Sequence, residues 1–141
     1  MAILVERATE DDYAEVCAID TAHMGNNSRC DYLAKAIMAR HRVVAREAGQ
    51  ALGFGIVDNT FFGNPFIELL IVHPDHRRRG VGEAIMRYIE KTCPSIKLFT
   101  STNESNLPMQ KLCEKLGFVR SGYVENLDDG DPEIIYFKRL G

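Results

Sequence analysis

A short loop rich in arginine and glycine, Arg77-Arg-Arg-Gly-Val-Gly82, follows an apolar run that ends at His73-Pro74. Apolar residues then recur at helical spacing, so the segment is predicted to be a strand, a loop and the start of a helix. The first amides of a helix have no partner within it, and glycines let a ligand approach the main chain. With guanidinium groups nearby, such amides bind a pyrophosphate. The sequence therefore predicts a site for a nucleotide-like anion.

A second motif lies downstream, where Asn106-Leu-Pro-Met-Gln-Lys-Leu-Cys-Glu-Lys-Leu-Gly-Phe118 leads from an asparagine into a helix that ends in Leu-Gly-Phe. In this order, the two motifs resemble the two signatures of the GNAT acetyltransferase superfamily, with Arg77-x-x-Gly80-x-Gly82 in the place of its acetyl-CoA loop. The resemblance implies one N-acetyltransferase domain over residues 1–141, with acetyl-CoA as co-substrate.

The resemblance also implies how the cofactor is held. Main-chain amides of the arginine loop (Arg77–Gly82) and Glu83 would surround the pyrophosphate, and Arg78 and Arg79 would add charge-assisted hydrogen bonds to its oxygens. The alternative is a solvated arginine run that caps a polar turn. The residues assigned to cofactor binding are Ile71, Val72, Arg77, Arg78, Arg79, Gly80, Val81, Gly82, Glu83 and Asn106.

Ile71 and Val72 belong to this set because the family polarises the thioester carbonyl with a backbone amide of the central strand. A strand amide is free to donate only where pairing is interrupted, so the resemblance implies a bulge near Leu70. The sequence itself does not show that bulge.

Glu68 is the candidate catalytic base. It is the only carboxylate within the apolar run 66–72, and apolar surroundings raise the pKa of a carboxyl, which suits proton abstraction near neutral pH. It also falls where several members of the family carry a catalytic glutamate. The alternative is a strand-edge glutamate that faces solvent.

Cys113 departs from the family pattern. Many members place a tyrosine there to protonate the leaving thiolate, whereas a cysteine is shorter and titrates near about 8.5 when unperturbed. Cys113 is therefore a candidate proton donor only if its sulfur lies near the cofactor or is linked to it by water. The alternatives are a core-facing role for Cys113, donation by Tyr123 or Tyr136, and protonation by solvent.

Asn106 has two candidate roles. Its side-chain amide can donate to and accept from the amides of the pantetheine arm, as the resemblance implies. Asn106 or Ser105 can also cap the helix that follows, and both roles can hold at once.

Composition limits the function classes. The chain has 141 residues, 45% hydrophobic and 26% charged, a size and balance that predict a single globular domain. Its net charge of −3 excludes a global basic field for nucleic acid. Residues 1–13 lack a basic segment followed by an apolar one, so the expected location is cytoplasmic, and no apolar run is long enough for a membrane span.

Four cysteines, at positions 17, 30, 93 and 113, have no metal-like spacing and are expected to be buried free thiols. No metal site is predicted, because His73-Pro-Asp-His76 has no third ligand within reach by spacing.

The order of periodic segments predicts the fold. Strands are expected near residues 3–5, 43–45, 52–57, 66–72, 96–100, 118–125 and 134–140, with helices beginning after Thr9, over 29–40, after the arginine loop and after Asn106. Thr21 to Ser28 is expected to be a mobile connection. This order predicts an α/β domain with a mixed sheet of about six or seven strands flanked by about four helices. The resemblance adds that the central strand and the next one splay apart around the pantetheine arm.

The leading functional hypothesis is acetyl transfer from acetyl-CoA to a primary amine of a small molecule or peptide, by direct attack without an acyl-enzyme. The alternative is a catalytically weak acyl-CoA-binding sensor, which the missing tyrosine supports. Asp58, Asp128, Asp129 and Asp131 suit a cationic acceptor and equally suit solvent, so the acceptor and the acyl chain length stay open. Relatives commonly form homodimers, but the sequence leaves the oligomeric state undecided.

Overall fold

The computed structural model describes residues 2–39 and 41–141, which form seven strands and four α-helices. The strands are β1 (Leu4–Arg7), β2 (His41–Glu47), β3 (Gln50–Phe61), β4 (Asn64–Val72), β5 (Lys97–Asn103), β6 (Val119–Val124) and β7 (Glu133–Arg139). The helices are α1 (Tyr13–Met24), α2 (Cys30–Ala39), α3 (Val81–Thr92) and α4 (Leu107–Lys115). The predicted α/β class, strand number and helix number are confirmed. None of the helices in these residues has the length and apolar character that crossing a bilayer requires.

The strands form one mixed sheet in the order β1-β2-β3-β4-β5-β7-β6. β1, β2 and β3 pair antiparallel in sequence, and β7 pairs antiparallel with both β5 and β6. β4 and β5 run parallel, with Phe66 opposite Phe99 and Ile67 opposite Thr100. The strand before the arginine loop is therefore central in the sheet, as predicted. The splay between β4 and β5 stays a prediction.

Tight turns explain the two hairpins. Between β2 and β3, Ala48 and Gly49 have φ values of 51° and 82°, and between β3 and β4, Phe62 and Gly63 have 52° and 78°. Two successive residues at positive φ match the right-handed twist of paired strands, which is why Gly follows in each turn.

The chain forms two compact units, and the first contains the residues up to Asp58 together with Leu69–Thr92. Its apolar core draws on α1, α2, β2 and β3, with Leu33, Val44 and Phe54 almost fully buried. α3 packs closely on β3 because Gly53 has no side chain. A Cβ there would lie 2.8 Å from the Ile71 carbonyl oxygen and 3.1 Å from a Val81 methyl.

The second unit contains Asn59–Glu68 and Cys93–Gly141. Rings of Phe61, Phe66 and Phe99 cluster here, since the Phe61 centroid lies 4.9 Å from each of the other two. The Thr100 hydroxyl donates to the Ile67 carbonyl at 3.1 Å, which adds a side-chain tie to the β4–β5 pairing. β6 lies at the edge of the sheet and is exposed along its length.

One expectation about the first helix was wrong. The segment predicted as a mobile connection begins inside α1, which continues to Met24 and ends where Gly25 adopts φ 83° and its amide donates to the Thr21 carbonyl. A left-handed glycine at this position satisfies a helix-end carbonyl, so polar residues before it can remain helical. Arg40, at the end of the predicted second helix, lies outside the described residues.

The cysteines at 17 and 30 are joined in a disulfide and are not free thiols. The packing of α1 against α2 brings their Cα atoms to 5.4 Å, within the usual range for a bridge. A separation of 13 residues along the chain does not reveal this proximity. Cys93 and Cys113 are free, as expected for all four.

Candidate active site

The arginine loop is connected to β4 by a short 3-10 turn, Pro74–His76. At its start, the His73 amide donates to the Leu52 carbonyl at 2.8 Å, and the His73 ring Nδ1 accepts from the Asp75 amide at 3.1 Å. The chain is therefore held by main-chain and side-chain hydrogen bonds at the end of β4, before the loop begins. Across the described residues, no three His, Cys, Asp or Glu side chains are grouped to hold a metal ion.

The loop leads into the first turn of α3. Arg78 and Gly80 adopt φ values of 64° and 81°, and the Ala84 amide donates to the Gly80 carbonyl at 3.0 Å as the first helical hydrogen bond. The amides of Val81 and Gly82 precede that bond and so have no acceptor within the helix. A Cβ on Gly80 would meet nothing within 4 Å, which leaves the approach to these amides open. The arrangement is that of an anion site at a helix N-terminus.

The three arginines of the loop have different surroundings. Arg77 Nη2 donates to the His23 ring at 2.9 Å, and Arg79 Nη2 lies 2.5 Å from both carboxylate oxygens of Glu47. Arg78 is exposed, and none of the described residues hydrogen-bonds or ion-pairs with its guanidinium. Of the two arginines predicted to bind phosphate, Arg78 is thus available and Arg79 is engaged elsewhere.

His23 is a contact of the loop that sequence reasoning missed. Burial lowers the pKa of His23 below its ordinary 6.5, and the nearby Arg77 and Arg29 guanidiniums lower that pKa further. The neutral ring can accept the hydrogen bond from Arg77, whereas a protonated ring would repel it. No motif marks His23, because 54 residues separate it from Arg77.

β4 carries the predicted base and the predicted amide donors. Glu68 is half-buried, and burial raises the pKa of its carboxyl above the ordinary 4.5, as the sequence predicted from its apolar neighbours. Ile71 is 8% exposed and Val72 is half-buried. Three residues of strand place Glu68 about 10 Å along β4 from Ile71. The bulge predicted near Leu70 stays a prediction.

In the second unit, Asn106 is the N-cap of α4. Its Oδ1 accepts from the Met109 amide at 3.2 Å, and Pro108 follows in the first turn. The predicted cap is therefore confirmed, and it occupies the side-chain oxygen. Asn106 is exposed, and its Nδ2 is the end of the amide that the cap does not use. For a cofactor, the side chain is consequently a donor.

Asp131 fixes the turn that holds Asn106. Its carboxylate accepts from the Ser105 amide at 3.0 Å and from the Ser105 hydroxyl at 2.6 Å. From the other side, buried Gln110 donates to the carbonyls of Asn103 at 3.3 Å and Glu104 at 2.5 Å. Asp131 was considered for a cationic acceptor, but its carboxylate bonds to this turn. Its 26-residue separation from Ser105 hid the contact in the sequence.

Cys113 lies in the interior, with no exposed surface. Burial raises the pKa of its thiol to about 12, and the neighbouring Glu114 adds to the increase. This fits the core-facing alternative that the sequence left open. Tyr136 is also fully buried, and burial raises its pKa too, whereas Tyr123 is 65% exposed.

The arginine loop and the Asn106 cap both fall within the range matched by one family model. The model of the acetyltransferase (GNAT) family matches residues 6–118. The chain belongs to the GNAT acetyltransferase family. Its enzyme class is accordingly that of an acyltransferase, as the sequence motifs predicted. The match contains β2 to α4 in full, and so every residue assigned to the candidate site.

Solved GNAT structures agree with the fold. A GNAT family acetyltransferase from Bacillus cereus ATCC 10987 is 41% identical, with a TM-score of 0.94 over 100% of this chain and 99% of that one. The structure of yncA from Salmonella typhimurium, solved with its cofactor acetyl-CoA, is 17% identical, with a TM-score of 0.78 over 100% and 95%. The ribosomal-protein-S18-alanine N-acetyltransferase from Escherichia coli is 18% identical, with a TM-score of 0.83 over 99% and 95%. The comparison with curated proteins gave no match.

Proposed function

We propose that the chain transfers an acetyl group from acetyl-CoA to a primary amine by direct attack within a ternary complex. The observation that carries the proposal is the loop before α3, where left-handed Arg78 and Gly80 precede the amides of Val81 and Gly82, which have no acceptor within the helix. Those amides would hold the pyrophosphate, and Arg78 would add a charge-assisted hydrogen bond.

The remaining cofactor contacts act on the pantetheine arm and the thioester. Asn106 would donate through Nδ2 to a pantetheine carbonyl, because its Oδ1 caps α4. The amide of Ile71 or Val72 would donate to the thioester carbonyl and stabilise the negative charge that develops there during attack. Arg77 and Arg79 would shape the loop through His23 and Glu47.

Glu68 is the proposed base. It would accept a proton from the substrate ammonium, with water as the relay, and leave a neutral amine as nucleophile. The amine nitrogen would then bond to the carbonyl carbon and release its second proton to solvent, the C–S bond would break, and CoA would leave as a thiolate. The raised pKa of Glu68 brings its basicity closer to neutral pH.

Solvent is the proposed proton source for the CoA thiolate. Cys113 is buried and its pKa is raised to about 12, so its thiol gives up a proton far less readily than an ordinary cysteine. The same burial argues against an acetyl-cysteine intermediate, since the thiolate is the nucleophilic form.

The acceptor is proposed to be a small-molecule or peptide amine, acting in the cytoplasm. No contact among the described residues identifies the acceptor. Nor does any of these contacts show whether the chain forms the homodimer that is common among relatives. Of the four carboxylates considered for a cationic acceptor, Asp131 is engaged with Ser105, and Asp128 accepts from the Asn103 side chain at 2.9 Å.

Release of free CoA thiol tests the proposal. The purified protein is incubated with acetyl-CoA and separate pools of polyamines, aminoglycosides, amino acids and peptides. Turnover with one pool, reduced about a hundredfold in Glu68→Gln, is the expected result for a lost general base. Equal turnover in the two proteins would show that Glu68 is not the base. An acetylated cysteine in mass spectra would exclude direct attack and indicate an acyl-enzyme intermediate.

The buried thiol of Cys113 also favours a second candidate, an acyl-CoA-binding sensor. A sensor has no need of a proton donor for the thiolate, and the family's tyrosine is absent here. It predicts that acetyl-CoA binds while every acceptor pool stays silent. Glu68→Gln would then leave acetyl-CoA affinity unchanged.

A further inference from the structure

We propose that Glu47 is a positioning residue that holds the arginine loop in its cofactor-binding conformation through Arg79. The inference rests on the proposed function, because it assigns a partner to the loop that would bind the pyrophosphate. In this proposal Arg79 does not bind phosphate. Its ion pair with Glu47 instead holds the loop in place.

The contact is close and two-sided. Arg79 Nη2 lies 2.5 Å from both Glu47 carboxylate oxygens, and Arg79 Nη1 lies 3.0 Å from the His76 ring. The guanidinium is therefore occupied on both its terminal nitrogens. Glu47 is only 19% exposed, so its carboxylate is partly shielded from water and salt. The Arg79 guanidinium also lowers the pKa of the Glu47 carboxyl by hydrogen bonding to it, so the carboxyl stays ionised at neutral pH.

Glu47 lies at the end of the β2–β3 hairpin, which is held by ion pairs. It is the last residue of β2, paired with Gln50 across the two-residue turn. The preceding Arg46 forms ion pairs with Glu6, Asp12 and Glu15. These ion pairs connect the end of the hairpin to β1 and to the start of α1. The position of Glu47 is therefore restricted, and through Arg79 it restricts the position of the loop.

The position of Arg79 makes this anchor consequential. Arg79 directly precedes Gly80, the residue whose φ of 81° and whose carbonyl set the first turn of α3. Fixing the Arg79 side chain restricts the backbone at Gly80 and hence the direction of the amides that follow. A preorganised site binds more tightly than one that must be ordered on binding.

Two roles for Arg79 predict opposite effects of removing Glu47. If Arg79 bound phosphate, Glu47 would compete with the ligand, and its loss would strengthen acetyl-CoA binding. If Arg79 anchors the loop, loss of Glu47 frees the loop and weakens binding. The sign of the change therefore separates the two.

The experiment compares wild type with Glu47→Gln, Arg79→Glu and the exchanged pair Glu47→Arg/Arg79→Glu. Glu10→Gln serves as the control, because it removes one exposed carboxylate of the same unit that makes no hydrogen bond or ion pair with the described residues of the loop. The first readout is amide hydrogen exchange over residues 77–83 without cofactor. Exchange should speed up in both single variants, recover in the exchanged pair and be unchanged in the control.

The second readout is the KM for acetyl-CoA against kcat. Glu47→Gln should raise KM about tenfold, the scale of one charge-assisted hydrogen bond, with little change in kcat. A lower KM, or loop exchange equal to wild type, would overturn the proposal. If the wild type neither binds nor uses acetyl-CoA, the proposed function fails, and the exchange measurement still decides whether Glu47 holds the loop.

Discussion

Reduction of the Cys17–Cys30 disulfide should destabilise the protein by a calculable amount. The bridge closes a loop with a sequence separation of 13 residues between α1 and α2. Cross-linking removes conformations from the unfolded chain, and for a loop of about 15 residues the lost entropy corresponds to about 3 kcal/mol at 25 °C. In a domain of this size, that change lowers the melting temperature by roughly 10 °C.

The assay is urea unfolding with and without a phosphine reductant, with peptide mapping to confirm that the bridge forms and breaks. Wild type should lose about 3 kcal/mol on reduction. Cys17→Ala/Cys30→Ala should match the reduced protein and ignore the reductant. Cys93→Ser is the matched control, because Cys93 is free and half-buried, and it should respond to reductant as wild type does.

The location of the effect is a second check. The lost constraint acts on α1 and α2, so amide exchange should increase over Tyr13–Met24 and Cys30–Ala39 more than over α4. A demonstrably broken bridge with unchanged stability would refute the entropy argument. Mapping that finds both thiols free in protein purified without reductant would refute the bridge itself.

Other predictions concern single side chains. Because burial raises the pKa of Glu68, its ionised form costs stability above that raised pKa, and the cost vanishes below the ordinary 4.5. Glu68→Gln should therefore stabilise the protein near pH 8 but not near pH 4, and should abolish the rising limb of the pH–rate profile. An unchanged limb would assign that titration to another group. Asn106→Asp keeps the cap oxygen and loses Nδ2, so its melting temperature should hold while KM for acetyl-CoA rises about tenfold. Asn106→Ala should also lose about 1 kcal/mol of stability, and equal KM in both variants and wild type would exclude the donor role. Gly53→Ala places a Cβ 2.8 Å from the Ile71 carbonyl and should cost about 1–3 kcal/mol in urea unfolding. A neutral result there would mean that β4 and α3 shift without penalty.

Much of the fold could be predicted because its signals are local. The two-residue turns, the apolar stripe of α4 and the proline and glycine that bound it act within a few residues of chain. The order of the elements along the chain placed the strand before the arginine loop at the centre of the sheet. The error at Thr21 to Met24 arose because polar residues on an exposed helix face resemble those of a loop.

The candidate site also has one part that the sequence could predict and another part that it could not. Its loop was predictable, since glycine, arginine and helical periodicity are adjacent in the chain. Its supports were not, because His23, Glu47 and Asp131 contact residues 54, 32 and 26 positions away. Each is an ordinary polar side chain in an unremarkable stretch. Only its partner in space gives it a role.

The sequence by itself determined the α/β class, the GNAT family and the position of the arginine loop before a helix, because backbone propensity, periodicity and motif spacing are properties of neighbouring residues. Tertiary structure alone decided that Cys17 and Cys30 are bridged, that Arg79 is held by Glu47 and that Cys113 is buried. These depend on how α1, α2 and the hairpin pack, and packing brings together residues whose separation along the chain carries no information about distance.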